Sequence, residues 1–264
     1  MAVNERKIGI AMYTVHRSIY ENPERILSDL REMGYRGLEF YGPFEQFDAE
    51  RWLPLLRDLG MEIWGWHVEW REWQEDRIGQ TMAVLNRWQC PVAVLPCLGG
   101  RWNVGHLESE DCLDLWNRRI DQMNALEMVC RRNGLRMAYH NHDHEFRLRY
   151  GGKCVFDRLF EGLSPSILME LDTGNCIEGG GDPKEALKRF PDRQVLLHMK
   201  PFSVKNGVNA VLAAVDDANQ WNEILDEDRG RMVHLLVESE AECEDEIHNA
   251  RACLDGARAV LENR

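Results

Sequence analysis

A chain of 264 residues with 44% hydrophobic residues has ample apolar content for a sizeable core, while its formal charge of −13 argues against a nucleic-acid phosphate backbone as partner, which Lys and Arg must neutralise. The length suits a single α/β barrel, for which about 250 residues is typical. The opening MAVNERKIGIAMYT has no signal-type apolar core, and no run approaches a membrane span, so the expectation is a soluble, cytoplasmic protein with no membrane partner; homo-oligomerisation stays open. The eight cysteines include no C-x-x-C pair and are expected as free, mostly buried thiols.

In chain order, KIGIAMYT reads as the first strand. In the following ENPERILSDLREMG, Asn22 is placed to cap a helix, Pro23 fits its first position and Gly34 its stop. GLEFYG is the second strand, and a helix from about Asp48 to Leu59 ends at Gly60 before EIWGWHV. A helix over Glu75 to Trp88 leads into VAVLP, and the longest helix, Ser109 to Asn133, stops at Gly134 and feeds RMAYHN. Then come a helix near Val155 to Leu163, ILMELDT, a helix opened by Asp182-Pro183, and VLLHMK. A helix near Ala218 to Asp226 precedes MVHLLVES, and a helix from about Glu244 to Leu261 closes the chain. Strands alternating with helices imply a parallel sheet, and this number of repeats closes a (β/α)8 TIM barrel, expected as one domain over residues 1–264.

In such a barrel the chemistry sits where the strands end. Glu39, His67, His140 to Glu145, Asp172, His198 with Lys200, and Glu238 all fall at the ends of strand candidates. Alternation places Glu170 and Asp172 on one face, His198 and Lys200 on one face, and His234, Leu236 and Glu238 on one face. In EIWGWHV, His67 is expected inward and Trp64 and Trp66 outward against helices; Trp70 and Trp73 could pack or form a wall for a sugar ring. Glu170 and His234 lie lower in their strands and are expected as a buried polar pair or network. Carboxylates and a histidine converging at a barrel mouth suit a divalent cation, Mn²⁺, Co²⁺ or Mg²⁺ more than a structural Zn²⁺ that prefers thiolates. Ion pairing with Arg and Lys across the mouth is the alternative.

At these residues the chain resembles the sugar phosphate isomerase/epimerase superfamily, the xylose-isomerase-like barrels. The resemblance rests on IAMYTVHR, YHNHDHEF, LDTGN, GGDPKEALKRFPDR with HMK, and VESEAEC, in that order along nearly the whole chain. It implies a (β/α)8 barrel holding a divalent metal, Mn²⁺ first with Co²⁺, Mg²⁺ or Zn²⁺ as substitutes. Asp172, His198 and Glu238 carry over as ligands. The first glutamate of the ketose epimerases would fall near Tyr139, so Glu145 is taken as the fourth ligand, with His142 as substitute. The H-x-K-D of the family reads HMKPF here, leaving Lys200 without its aspartate.

The activity implied is isomerisation or epimerisation of a ketose, keto-sugar or cyclitol by proton transfer through an enediolate. Glu145 and Glu238 would be acid and base, with His142 or His140 able to take over, and His67, His140, Lys200 and Glu39 would hold substrate. The alternative is a dehydratase or lyase of the same superfamily, since the same intermediate can expel a β-leaving group. A sugar sensor ranks lower, and an endonuclease-IV-like role lower still, because neither the charge nor that enzyme's larger histidine set is matched.

Overall fold

The computed structural model describes residues 6–263; the terminal residues of the expected 1–264 domain lie outside them. The strands are β1 (Ile8–Ala11), β2 (Gly37–Tyr41), β3 (Glu62–His67), β4 (Val92–Leu95), β5 (Arg136–His140), β6 (Leu168–Asp172), β7 (Val195–Met199) and β8 (Met232–Val237). Each pairs in parallel with its neighbours in sequence, and β8 pairs with β1, so the sheet closes into a barrel as expected. The helices between them are α1 (Pro23–Met33), α2 (Ala49–Leu59), α3 (Ile78–Arg87), α4 (Leu113–Arg132), α5 (Val155–Gly162), α6 (Pro183–Arg189), α7 (Trp221–Asp226) and α8 (Glu246–Glu262). No helix among the described residues is long and apolar enough to cross a membrane.

Local chemistry explains the boundaries. The Asn22 side chain accepts from the Arg25 amide at 3.1 Å, Pro23 occupies the first turn of α1, and Gly34 leaves it at φ +122°, a conformation L side chains rarely adopt. Asp48 and Asp182 cap α2 and α6 in the same way. Three short helices, Ser18–Glu21, His144–Arg147 and Thr173–Glu178, and a ribbon of Arg149–Tyr150 with Lys153–Cys154 sit in loops, too short to show a period in the sequence.

Alternation along the strands divides the apolar residues into two layers. Ile8, Ile10, Phe40, Met169, Leu197 and Val237 face outward into one core shared with the helices. Val92, Val94, Ala138, Leu168 and Leu196 face inward and fill the lower barrel. Above them the inward positions turn polar, which brings Glu39, His67, His140, Glu170, Asp172 and His198 together in one buried cluster.

Two expectations are corrected. Trp64 does not face the helices. The β2–β3 register slips between Leu38 paired with Ile63 and Glu39 paired with Gly65, so Trp64 is an extra residue and its ring turns into the barrel. There it stacks on His234 with ring centroids 4.1 Å apart, over Gly9 and Gly37, where a Cβ would lie 2.5 and 2.0 Å from the ring. The slip restores alternation for Gly65, Trp66 and His67; Trp66 packs outward on Phe40 as expected. His234 therefore belongs to the barrel floor with Trp64, and Glu170 pairs elsewhere. Trp73 is buried and bonds the Val68 carbonyl, and Trp70 packs on the core with Arg119 over its ring, so both serve packing. The cysteines are all free thiols, mostly buried.

Candidate metal centre

The inward polar residues form two stacked tiers. In the lower tier His67 lies between two buried carboxylates, its Nε2 2.9 Å from Glu170 Oε2 and 3.1 Å from Glu39 Oε2. Gly65 makes room for Glu39, since a Cβ there would sit 2.7 Å from Oε1. In the upper tier are His140, Asp172, His198, Lys200 and Glu238, all buried. Two imidazoles join the tiers. His140 places Nδ1 3.1 Å from Glu170 Oε2 and Nε2 4.0 Å from Asp172 Oδ2. His198 places Nε2 2.7 Å from Glu39 Oε2 and Nδ1 2.6 Å from Glu238 Oε2.

Donor atoms converge in two overlapping groups, His140, Asp172, His198 and Glu238 above, and His67, His140, Glu170 and His198 below. The upper group fits a divalent cation better. It pairs two imidazoles with two carboxylates, and His140 Nδ1 and His198 Nε2 lie 3.1 Å from Glu170 and 2.7 Å from Glu39 without hydrogen-bond geometry. Asp172 Oδ1 accepts from the Asn175 amide at 2.7 Å, while Oδ2 is buried with no hydrogen-bond partner and has the Lys200 ammonium 3.6 Å away. A buried carboxylate oxygen without a donor is costly unless something positive meets it.

The electrostatics follow from crowding these groups. Burial pushes Asp172 up to about 7, with Lys200 opposing it, and burial together with Glu39 pushes Glu170 up to about 7. Burial works against ionisation of Glu39, but His67 and His198 outweigh it and hold its carboxyl well below the usual range. Burial likewise opposes protonation of His67, yet Glu39 and Glu170 raise it to about 10. His140 is driven down by burial and by the neighbouring imidazoles His67 and His198, and stays neutral.

Lys200 is buried and stays charged: burial is outweighed by Asp172 and Glu238. Its Nζ bonds Asn175 Oδ1 at 2.9 Å and Glu240 Oε1 at 2.7 Å and lies 3.4 Å from Glu238 Oε1. Glu240 thus faces the lysine for which the sequence supplied no aspartate.

The stretch AYHNHDHEF resolves residue by residue. His140 belongs to the upper tier. Asn141 staples β5 to β6, accepting from the Asp172 amide at 3.0 Å and donating to the Asp172 carbonyl at 3.2 Å. His142 lines the cleft with its Nδ1 unbonded and stacks on Trp102. Asp143 accepts from Trp102 Nε1 and pairs with Arg147.

Glu145, expected as the fourth ligand, is in neither donor group. It lies in the short helix beyond β5, where Oε1 accepts from the Tyr139 hydroxyl and lies 3.0 Å from His144 Nε2, and Oε2 accepts from the His142 amide at 2.8 Å. Both oxygens are committed to holding this turn. His140 stands in both donor groups and Glu170 in the lower one, and the sequence offered no signal for Asn141.

Residues 27–235 match the xylose isomerase-like TIM barrel family. Inosose dehydratase of Geobacillus kaustophilus (strain HTA426) is 25% identical over 224 residues, covering 75% of this chain and 70% of that protein. A sugar phosphate isomerase/epimerase from Parabacteroides distasonis ATCC 8503 superposes with a TM-score of 0.79 at 20% identity, over 95% of this chain and 96% of that one. The probable 3-DHS dehydratase AsbF from Bacillus anthracis superposes with a TM-score of 0.68 at 16% identity, over 98% and 99% of the two chains. Because the matched segment runs from α1 into β8 and so takes in most of the barrel, the protein belongs to the xylose isomerase-like TIM-barrel family.

Proposed function

We propose that the protein removes the proton next to the carbonyl of a keto-sugar or cyclitol ketone and then expels a β-substituent, acting as a dehydratase or lyase. His140, Asp172, His198 and Glu238 would hold a divalent cation. With two imidazoles and two carboxylates the set suits Mn²⁺, Co²⁺ or Zn²⁺ more than Mg²⁺. Bound there, the cation supplies Lewis acidity to a carbonyl and its neighbouring hydroxyl.

Glu238 is the base in this reading. Lys200 and His198 hold it ionised against the cost of its burial, in the form that accepts a proton. The C–H bond gives its proton to a Glu238 oxygen, the electron pair forms the C=C bond, and the β C–O bond breaks. The departing oxygen leaves as water or an alcohol once it recovers that proton.

The observation that carries this reading is the position of Glu145. Epimerisation needs a proton-transfer group on each face of the carbon, and Glu145, expected to supply the second, is committed to Tyr139 and the His142 amide. Elimination can run with one carboxylate. The dehydratase relative supports the same choice. A second reading, isomerase or epimerase, is favoured by His142, which lines the cleft, has a buried Nδ1 without a hydrogen-bond partner and could serve the opposite face. Incubating Mn²⁺-loaded protein with inososes, keto-glycosides and ketoses and following products by mass spectrometry separates the two. Unsaturated products that have lost water or an alcohol are expected; products of unchanged mass would favour the second reading.

A further inference from the structure

Lys200 brings an ammonium to the same two carboxylates that would hold a cation. Its Nζ lies 3.6 Å from Asp172 Oδ2 and 3.4 Å from Glu238 Oε1. An ammonium and a divalent cation are alternatives at a carboxylate oxygen, so a lysine buried this close has to be kept off the oxygen that meets the metal.

Asn175 is placed to do this. An ammonium has three hydrogens to give. Asn175 Oδ1 takes one at 2.9 Å, Glu240 Oε1 another at 2.7 Å and Glu238 Oε1 the third at 3.4 Å, which leaves Asp172 Oδ2 without a bond. The acceptor on Asn175 is fixed from behind. Its Nδ2 donates to the Asn141 carbonyl at 3.1 Å, so its amide oxygen faces the lysine. Asn141 is fixed in turn, because its side chain exchanges two bonds with the Asp172 main chain, just beyond the last β5–β6 pair, His140 with Glu170. Gly174 lets the turn close on β7, since a Cβ there would lie 2.8 Å from Lys200 Cγ, and Thr173 Oγ1 donates to the Lys200 carbonyl at 3.1 Å. Both asparagines are buried, so solvent does not replace these bonds.

We infer that Asn175 is a positioning residue that holds the Lys200 ammonium off Asp172 Oδ2 and so keeps that oxygen for a cation, with Asn141 setting the orientation of the Asn175 amide. The inference rests on the proposed cation site at Asp172 and adds a device that guards it.

A double-mutant cycle read by calorimetric titration with Mn²⁺ tests it, with urea unfolding followed in parallel. Asn175→Ala should weaken Mn²⁺ binding at least about tenfold, the size usual for a group that orients a metal ligand. Asn175→Leu, which fills the space but makes neither bond, should behave alike. In the Lys200→Met background the same substitutions should cost less than about threefold, since no ammonium is left to move onto Asp172. An equal loss with and without Lys200 would overturn the inference, because a merely structural asparagine acts whether or not the lysine is there. Unchanged Mn²⁺ affinity in Asn175→Ala and Asn175→Leu would overturn it as well. Asp172→Asn separates this from the site beneath it. If that variant binds Mn²⁺ as tightly as the parent, the cation is not held at Asp172 and both readings fall; if it loses binding while the Asn175 variants keep it, the site stands and the inference alone falls.

Discussion

At the scale of single residues, the account turns on which atoms of His140 and His198 are free to bind a cation. Glu170 beside His140 Nδ1 leaves Nε2 for the upper site, whereas His198 Nδ1 is hydrogen-bonded to Glu238 Oε2 at 2.6 Å, so a cation there would take the place of the proton between them. Asp172→Asn and His198→Ala should therefore each weaken Mn²⁺ binding by at least 100-fold, measured by calorimetry, with the cooperative unfolding transition retained. Glu145→Gln should do the reverse, leaving Mn²⁺ affinity within about threefold while costing about 1–3 kcal/mol in urea unfolding, since it disturbs a fully buried, hydrogen-bonded carboxylate. Acidity gives a further prediction. Asp172 and Glu170 are raised to about 7 from an unfolded range near 4, so the folded metal-free protein binds more protons than the unfolded chain across that window and loses stability as pH rises through it. His67, raised to about 10, acts in the same direction above about pH 6.5. A cation needs these carboxylates ionised. The increase in melting temperature on adding Mn²⁺ should be larger at pH 8 than at pH 5.5; an equal increase at both would mean that the cation does not displace these protons.

At the scale of elements, capping residues were legible and irregularities were not. Asn22, Asp48 and Asp182 mark helix starts because a short polar side chain can satisfy only nearby free amides, a local rule visible in any sequence. The β3 bulge is set by how Glu62–His67 meets β2, a tertiary register that strict alternation misses, and so Trp64 was placed on the wrong face. Glu145 shows a related limit of the sequence: position beyond a strand end does not say which way a loop residue turns, and its carboxylate turns to Tyr139 and the His142 amide. Trp64 now carries a structural prediction. With its ring stacked on His234 and seated over Gly9 and Gly37, Trp64→Ala should cost about 3–5 kcal/mol in urea unfolding through the cavity it opens. Trp64→Phe should recover part of that, and a loss below about 1 kcal/mol would show that the barrel floor does not depend on this ring.

At the scale of the whole molecule, the alternation of strands and helices made the barrel legible, and the barrel made the site legible, because every inward residue at a strand end must meet the others near one axis. That rule puts Glu39, His67, His140, Asp172, His198, Lys200 and Glu238 at strand ends, and the structure brings their side chains together in the barrel. Tier height was harder to read. Glu170 sits one inward position below Asp172, and only the closed barrel shows that it reaches His67 and His140. The central claim is that these strand ends assemble a cation-assisted base that removes a carbon-bound proton. It is tested most directly in heavy water, with Mn²⁺-loaded protein and a ketone substrate found in the product screen, by following deuterium at the carbon next to the carbonyl by NMR. The account predicts that deuterium enters that carbon in recovered substrate or that its hydrogen is lost to solvent in an unsaturated product, and that Glu238→Gln suppresses both together at least 100-fold. Turnover with the original hydrogen carried into product and no solvent label would contradict it, since that outcome belongs to hydride transfer and leaves Glu238 without a proton to take.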